Sequence, residues 1–523
     1  MSLAIGIDLG TTNSVAALAT ADGVVVTNGP SGERVHPSIV SFPAEGGVLV
    51  GHDARQRRAI DPQHTIYSAK RLIGQNMRAP MVGLALTSLP FEVEEGQNQQ
   101  PIILARGRRM TVPEVSALVL GHLRKLTETQ HGDEVKQVVI TVPANFSDAQ
   151  RRSTREAGVI AGLDVLRLVN EPTAAALAYG YAQRLDEQVA VFDFGGGTFD
   201  VSILKIRDDI FEVLGTGGDF FLGGDDIDRM IAEHLASDMR ERLDVDPREH
   251  AGAMTRLSMA AEEIKRHLSS EQQAEGTIGG LVVGDNPEPY SLPFHVTRKQ
   301  FESMIGGYLD RTSEVCRQVL TTSGLEPDAI SEVLCVGGST RIPAVRQRVA
   351  EIFQREPSIR IDPDEVVAHG AAVQAAILVG NTEATQQRAL LLDVTPATLS
   401  IGTAGGYVER LLEKNAPIPI ERTKMFTTAH DYQAKVVVEC CRGESKRYQD
   451  NEPLGTMTLD NLPRELRGEA KIEVTFRVDA DGILHVRARD KRTGEKQEIS
   501  LNIIGAPLGE AGDASTDAPA LDT

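Results

Sequence analysis

The feature that most constrains this chain is a strand-and-turn signature that occurs twice, in residues 5–13 and residues 191–200. In each copy a run of β-forming residues ends in Asp, and glycine and threonine follow it. Glycine lets the backbone turn tightly, so amide groups can approach phosphate oxygens while the carboxylate faces a hydrated cation. Two such turns can bind one polyphosphate from both sides, and together they predict a clamp for a magnesium nucleotide.

Composition and charge place the chain among ordinary globular proteins. Its 523 residues, 41% hydrophobic and 24% charged, predict about three or four domain-sized units. The net charge of −20 disfavours binding to nucleic acid and to anionic membranes. We therefore expect neither among the partners of this protein.

The same sequence indicates a reducing compartment. It begins without a leader pattern and contains no run of about 18 apolar residues, so we expect a cytoplasmic protein. The four cysteines, Cys316, Cys335, Cys440 and Cys441, have neither C-x-x-C spacing nor the density of a disulfide framework. We expect reduced structural thiols and no metal site of the Cys/His type.

From residue 1 to about residue 384, β-rich runs alternate with helical patterns, which indicates an α/β domain with mixed sheets. Residues 138–142 and 332–336 are typical of buried strands. Ser147 and Gln150 form a capping-box signal for a helix that continues to about Ala161. Because Asp8 and Asp193 are 185 residues apart, we expect two related halves that close on one cleft.

The pattern changes after Gly380. A polar stretch, residues 381–388, precedes an apolar run, and alternating segments follow it. Residues 472–478 and 483–489 predict a hairpin around the turn at 479–482. A further alternating segment is predicted at 497–503. About 110 residues of this kind indicate a β-sandwich, and the acidic residues 505–523 are expected to be disordered.

Seven motifs together make the chain resemble the Hsp70 (DnaK-type) chaperone family over residues 1 to about 504. They occur in family order at residues 6–14, 69–74, 140–146, 170–176, 192–200, 336–341 and 390–396. The resemblance implies an α/β actin-like ATPase domain followed by a mainly antiparallel β-sandwich. The ATPase domain would have a duplicated ribonuclease H-like fold. We place the ATPase domain at 1–384, a linker at 385–393, the peptide-binding sandwich at 394–504 and the tail at 505–523.

The resemblance also assigns the residues that act on ATP. Asp8 and Asp193 would hold Mg²⁺ through its waters; an isolated Asp in such a turn would more often stabilise the turn itself. Lys70 would face the γ-phosphate, although a lysine at a helix edge is usually solvated. Glu171 would position the attacking water and the metal, with helix capping as the alternative. Thr198 and Asp200 complete the predicted catalytic set.

The predicted contacts to ATP or ADP form a larger set. Glu262, Lys265, Arg266 and Ser269 repeat along one helix and would, by themselves, be an exposed charged face; the resemblance turns them toward the nucleoside. The remaining predicted nucleotide-binding residues are Gly10, Thr11, Thr12, Asn13, Gly195, Gly196, Gly197, Gly223, Gly224, Gly337, Gly338, Ser339, Arg341 and Asp364.

The apolar run before the sandwich, Leu390, Leu391 and Leu392 beside Asp393, fits either a buried strand or the family's interdomain linker. The family linker docks on the nucleotide domain in one state and is released in the other, which supplies a bistable element. The resemblance adds Pro143 and Arg151 to this coupling set. It also implies a patch for a J-domain cochaperone, made of Arg167, Asn170 and Asp393.

The sandwich resembles the family's clamp for extended peptides, which are held by backbone hydrogen bonds and a pocket for one apolar side chain. The resemblance implies Ile401, Phe426, Val436 and Val438 as pocket lining and Ala404 and Ala429 as arch residues. Ordinary sandwich core is an equally good interpretation of each. The small Ala404 predicts an open or absent arch. Because no helical pattern follows residue 504, we expect no helical lid and fast peptide exchange.

These observations predict an ATP-hydrolysing chaperone that binds extended apolar segments of unfolded proteins, with slow turnover stimulated by a J-domain protein and a nucleotide exchange factor as a further candidate partner. One alternative is a small-molecule kinase of the same actin-like fold. Another is a nucleotide-gated interaction protein without turnover, which the intact Lys70, Glu171 and Thr198 argue against.

Overall fold

This computed structural model describes residues 3–181, 183, 185–281, 288–358, 361–381, 389–460, 462–491 and 502–503. The predicted tail at 505–523, residues 385–388 of the predicted linker and most of the predicted strand at 497–503 lie outside these residues. The longer helices are Val112–His131, Asp148–Ile160, Glu171–Gly180, Gly224–Leu243, Ala251–Ser270, Arg298–Ser323, Pro343–Phe353 and Val366–Leu378. The shorter ones are His52–Arg55, Arg57–Ile60 and Pro80–Leu86.

A mixed sheet carries the first Asp-Gly turn. In spatial order its strands are Asp164–Asn170, Val135–Val142, Leu3–Leu9, Asn13–Thr20 and Gly23–Val26, with His36–Pro37 also paired to Asn13–Thr20. The first three strands run parallel, and Asn13–Thr20 is antiparallel to both of its neighbours in that order. The turn therefore joins a central strand to the antiparallel strand beside it.

A second mixed sheet carries the other turn. Its strands, in spatial order, are Glu332–Val336, Asp186–Phe194, Phe199–Arg207, Ile210–Asp219, Leu390–Val394 and Pro417–Ile418. As in the first sheet, a strand that ends near Asp has a parallel strand on one side and an antiparallel strand after the turn on the other. The two sheets thus share a pairing pattern; the duplicated ribonuclease H-like fold stays a prediction.

Two helices rich in alanine bring the sheets together. Val366–Leu378 packs on Glu171–Gly180 and on the first sheet, while Glu171–Gly180 packs on the second sheet. Glycine makes the approach close: a Cβ at Gly370 would lie 1.8 Å from the Ala174 carbonyl oxygen, well inside van der Waals contact. This tight packing fixes the separation of the two Asp-Gly turns.

Smaller elements surround these sheets. Helix Ala251–Ser270 packs on helix Gly224–Leu243 and on a two-stranded sheet. The smaller sheets are Gln273–Leu281 with Tyr290–Thr297; Arg108–Thr111 with Pro101–Ala105 and Glu92–Glu95; and Leu49–Val50 with Val40–Ser41 and Thr65–Ile66. Single 3₁₀ turns occur at Pro62–His64, Ala69–Arg71, Gln97–Gln99, Pro247–Glu249, Pro327–Ala329, Gly338–Arg341 and Tyr448–Asp450.

The C-terminal part is a β-sandwich. Its larger sheet contains, in order, Tyr407–Leu412, Leu399–Thr403, Val436–Arg442, Glu452–Leu459 and Asn502–Ile503, and its smaller sheet contains Ile420–Phe426, Ile472–Val478 and Leu484–Asp490. The alternating apolar residues of both sheets meet in one core. The predicted hairpin is confirmed, because the last two strands pair around the turn at 479–482.

Other local predictions can also be compared with the structure. Ser147 and Gln150 form the predicted capping box at the start of Asp148–Ile160, with both reciprocal hydrogen bonds present. All four cysteines are free, as expected. In the described part of the chain, no helix combines the length and apolar character needed to cross a bilayer.

Candidate functional site

The two Asp-Gly turns face each other across one cleft with about 600 Å³ of open space. Lys70 and Glu171 line its base. The other predicted residues that line it are Asp8, Gly10, Thr11, Thr12, Asn13, Asp193, Gly195, Gly196, Thr198, Gly337, Gly338 and Asp364. The structure therefore brings residues from distant parts of the sequence into one place, as the paired turns predict.

The turns approach so closely that glycine is required between them. A Cβ at Gly196 would lie 1.8 Å from the Thr12 hydroxyl oxygen, and one at Gly197 would lie 2.5 Å from the Thr11 side chain. Gly223 backs the second turn, since its Cβ would lie 2.3 Å from the Gly196 carbonyl oxygen. The glycines therefore let the backbones of the two turns come close to each other, where their amides could contact a phosphate.

The cleft carries more negative charge than its one lysine can balance. Lys70 Nζ donates a 2.7 Å hydrogen bond to Glu171 Oε1, and both side chains are buried. Burial and the Glu171 carboxylate raise the pKa of Asp8 to about 7 and that of Asp200 to about 8, against the effect of Lys70. The pKa of Asp193 is likewise raised well above its ordinary value. A bound cation would stabilise these carboxylates in their charged form.

Two neighbours that the sequence interpretation missed hold these acids in place. Thr141 Oγ1 donates to Asp8 Oδ1 at 3.0 Å. Asn145 Nδ2 donates to Asp200 Oδ1 at 2.6 Å. Asp200 is buried behind the cleft rather than lining it. Thr141 and Asn145 both lie in the motif at 140–146, and this motif was the signal in the sequence that could have identified them.

The predicted nucleoside contacts line a wider extension of the same cleft. They are Glu262, Lys265, Arg266, Ser269, Ser339 and Arg341, and this extension shares Thr12, Asn13, Gly196, Gly338 and Asp364 with the deeper part. Lys265 Nζ bonds to Asp228 at 2.8 Å and to the Gly224 carbonyl at 3.2 Å. Gly223 and Gly224 lie behind the second turn and support it; they do not line the cleft.

Polar contacts that sequence reasoning missed connect the two sides of the cleft. Asp225 accepts from Thr12 Oγ1 at 3.0 Å and from Ser68 Oγ at 2.6 Å. Arg71 forms a buried ion pair with Asp226. Asp225 and Asp226 follow the predicted Gly223–Gly224 pair, and Arg71 follows Lys70, so adjacency to predicted residues was the only signal for them.

Two further arginines reach across the rim of the cleft to a predicted nucleoside residue. Arg55 lies 3.1 Å and Arg58 lies 3.5 Å from the Glu262 carboxylate. Both belong to the short helices at 52–60, far from Glu262 in sequence. These ion pairs join the edges of the two halves beside the nucleoside contacts.

The sandwich contacts the α/β part of the chain through Arg151 and the hairpin turn at 479–482. The Arg151 guanidinium donates to the Asp481 carbonyl at 3.0 Å and to Asn170 Oδ1 at 2.8 Å. It also donates to the carbonyls of Ala144 and Phe146. One buried side chain therefore links the sandwich to the segment that follows Pro143 and contains Asn145, the residue that donates to Asp200.

Other contacts at this junction confirm that it is polar and specific. Asp481 Oδ1 accepts from the Leu168 amide at 3.0 Å and Asp481 Oδ2 pairs with Arg155. Asp148 accepts from the Leu484 amide at 2.5 Å. Asp481 was not among the predicted coupling residues, because only tertiary contact reveals its role.

The apolar run after the composition change forms a strand of the second sheet, between Ile210–Asp219 and the short strand Pro417–Ile418. Leu390–Val394 pairs in parallel with Ile210–Asp219, which agrees with the buried-strand interpretation for Leu391. Leu390 stays about half exposed, and Leu392 is partly buried. Asp393 is buried and accepts from Thr173 Oγ1 at 3.1 Å. The run therefore joins the sheet that carries Asp193 directly to the sandwich.

The predicted cochaperone patch is largely covered in this arrangement. Asn170 and Asp393 are both buried, the first by Arg151 and the second beside Thr173. Arg167 is partly exposed. Of the three predicted residues, only Arg167 is open to a partner here.

The predicted peptide-site residues do not converge as the cleft residues do. Ile401 and Val438 are 3% exposed and belong to the sandwich core, while Phe426 and Val436 are partly buried against it. Ala404 and Ala429 lie on exposed connections. The core interpretation therefore holds for two of the four lining residues.

Comparison with known protein families agrees with this architecture. The model of the family described as Hsp70 protein matches residues 4–509. The chain therefore belongs to the Hsp70 family, whose members combine an actin-like ATPase domain with a β-sandwich. Proteins of this family are ATPases that bind ATP or ADP with Mg²⁺, and the membership supports a chaperone function in general.

Proposed function

We propose that this chain is an ATP-driven chaperone of the DnaK type in which hydrolysis controls the binding of extended apolar polypeptide segments. The observation that carries the proposal is the convergence of both Asp-Gly turns on one cleft with the Lys70–Glu171 pair at its base. We assign the nucleotide domain to residues 1–384, the linker to 385–393 and the peptide-binding domain to 394–504. An unfolded polypeptide and a J-domain protein are the proposed partners.

The donor set fits a hydrated magnesium ion. Among the described residues, no group of three or more His, Cys, Asp or Glu side chains is arranged to ligate a metal ion directly. Asp8 and Asp193 nevertheless lie in one cleft, where burial and the Glu171 carboxylate raise the pKa of both, and a bound cation would favour their charged form. These two residues would hold Mg²⁺ through its waters, and the ion would neutralise phosphate charge.

Hydrolysis needs a positioned water and stabilisation of charge on the terminal phosphate. Lys70 supplies the positive charge at the base of the cleft, and backbone amides of both turns add hydrogen-bond donors. Glu171 accepts from Lys70, and we assign to it the orientation of the water; Thr198 lines the same cleft and Asp200 lies behind it. Positioning and electrostatics therefore account for the chemistry.

Arg151 supports coupling between the two domains. It holds the Asp481 carbonyl of the sandwich and the carbonyls on both sides of Asn145, whose side chain bonds to Asp200. A change in sandwich docking would alter the segment that follows Pro143, and nucleotide state would in turn alter docking. The strand Leu390–Val394 is the second link between the domains.

Single-turnover hydrolysis tests the catalytic assignment. With bound ATP confirmed, Lys70→Ala should slow hydrolysis by at least about a hundredfold, because it removes the ammonium group at the base of the cleft. Lys136→Ala, at a surface pair with Glu134, is the matched control and should hydrolyse at the wild-type rate. Equal rates for the Lys70 variant and the wild type would remove Lys70 from the mechanism.

Peptide binding tests the chaperone assignment. A fluorescent peptide with an apolar centre should bind more weakly in ATP than in ADP when measured by anisotropy with a hydrolysis-deficient Lys70→Ala chain. Peptide affinity that is identical in both nucleotides would contradict coupling.

The four free cysteines also fit a reducing compartment, and we propose the cytoplasm.

A further inference from the structure

Three histidines from different elements meet beside the first nucleotide-binding turn. The ring of His36 lies between those of His52 and His122, with both centroid distances 6.0 Å and edge-to-face geometry. His36 is on the short strand His36–Pro37, His52 begins a short helix, and His122 is on helix Val112–His131. Such ring packing is compatible with neutral imidazoles.

The strand that carries His36 holds the turn directly. Ser14 pairs with His36 and Asn13 with Pro37. Ser38 continues the contact, because its amide donates to the Thr12 carbonyl and its hydroxyl donates to the Gly10 carbonyl, both at 2.8 Å. Displacement of this strand would therefore loosen the turn that lines the cleft.

The surroundings of the cluster disfavour positive charge. His36 is 1% exposed, and its Nε2 lies 3.4 Å from the Thr27 carbonyl oxygen. Burial lowers the pKa of His36 and lowers that of His122 to about 4, and positive charge on a neighbouring histidine adds to the effect. The charged groups that face the cluster are Glu33, Asp53 and Lys125; the two carboxylates oppose the lowering, and Lys125 adds to it for His122.

We propose that His36 is a positioning residue for the first nucleotide-binding turn, and that protonation of His36 and His122 releases this turn and speeds nucleotide dissociation in acid. This inference rests on the proposed nucleotide site. It concerns the retention of nucleotide and leaves the chemical step to the residues at the base of the cleft.

The direction of the effect follows from proton linkage. A histidine whose pKa is lowered in the closed cleft binds its proton more readily when the cleft opens, so falling pH favours the open form. The pKa of His122 is lowered from 6.5 to about 4 in the closed form. If this pKa returns to its ordinary value on opening, the equilibrium constant for opening should rise about tenfold at roughly pH 5.5. The effect becomes small above about pH 7, where a histidine with a pKa of about 6.5 or lower is mostly neutral in both the closed and the open cleft.

The test is the release rate of ADP labelled on its ribose, measured by stopped flow with the full chain at about pH 7.5 and pH 5.5. Wild type should release ADP about tenfold faster in acid. His36→Gln should lose part of that acceleration and His36→Gln/His122→Gln most of it, whereas His234→Gln, an exposed histidine on helix Gly224–Leu243, should keep it. The phosphates titrate identically in all variants, so only differences between variants count.

Equal acid acceleration in wild type and in the double variant would overturn the proposal. A second measurement uses the wild type without nucleotide: amide hydrogen exchange at residues 10–14 and 38, corrected for the intrinsic pH dependence, should show less protection in acid. Unchanged protection would also overturn it. If labelled ADP fails to bind wild type at neutral pH, the proposed nucleotide site is wrong, while the exchange measurement still decides the role of the cluster.

Discussion

The proposed nucleotide cleft and the predicted peptide site of the sandwich differ in how far their residues converge. In the cleft, residues predicted from two turns far apart in sequence line one continuous space. In the sandwich, the predicted lining residues divide between the buried core and its edge. A phosphate is held largely by backbone amides, whose geometry a glycine turn fixes locally. An apolar groove depends on which side chains the sheets leave uncovered, and that depends on tertiary packing.

The largest expected effect tests the backbone character of the cleft. Gly196→Ala should weaken nucleotide binding by about a thousandfold, ~4 kcal/mol, because the new Cβ would lie 1.8 Å from the Thr12 hydroxyl and push the turns apart. Isothermal titration calorimetry measures this. The control is Gly252→Ala on helix Ala251–Ser270, where nothing lies within 4 Å of the new Cβ. Wild-type affinity in the Gly196 variant would contradict the claim that nucleotide binding depends on the close approach of the two turns.

The second prediction decides between core and groove in the sandwich. Ile401→Ala should lower the free energy of unfolding of the sandwich by about 2–4 kcal/mol, because it leaves a cavity in a packed core. Val437→Ala, at a side chain about half exposed, should cost less than about 0.5 kcal/mol. Urea denaturation followed by circular dichroism measures both. Unchanged stability with weaker peptide binding for Ile401→Ala would show that Ile401 lines the groove.

The third prediction concerns the junction between the two regions. Asp481→Ala removes the carboxylate that accepts from the Leu168 amide and pairs with Arg155. The stimulation of single-turnover hydrolysis by peptide should fall by about tenfold, because the loss of a partly buried charged hydrogen bond weakens docking. Basal hydrolysis without peptide is the reference rate. Asp460→Ala, at an exposed pair with Lys435, is the control and should keep full stimulation.

The smallest effect tests the ion pairs across the rim of the cleft. Arg58→Gln should speed ADP release about threefold, since an ion pair with a partly exposed Glu262 contributes less than about 1 kcal/mol. Arg57→Gln is the matched control, because Arg57 pairs with Asp61 in its own half of the molecule. Stopped-flow release of labelled ADP measures both. Identical rates in these two variants would remove the Arg58–Glu262 pair from nucleotide retention.

Local patterns predicted local structure well. The capping box at Ser147 and the hairpin around 479–482 depend on neighbouring residues, and both occur as expected. The strand at 332–336 also matches. The shared cleft was predictable because two strong motifs of the same kind implied a common ligand, and ordered family motifs added the remaining residues.

The contacts that the sequence did not reveal are those between distant segments. Asn145, Asp225 and Asp481 have short polar side chains whose partners no sequence motif identifies, and each obtains its role from a partner more than 50 residues away. Burial of Ile401 likewise depends on how two sheets face each other. Pairing at such a distance is fixed by the whole fold, so one sequence does not specify it.

The central claim is that Asp8 and Asp193 act on one shared Mg-nucleotide, and a double-mutant cycle tests it most directly. ATP affinity with Mg²⁺ and with EDTA would be measured for wild type, Asp8→Asn, Asp193→Asn and the double variant. A shared ion predicts that each single variant removes most of the Mg²⁺ dependence and that the double variant loses little more. Losses that simply add, or full Mg²⁺ dependence in the double variant, would contradict the claim.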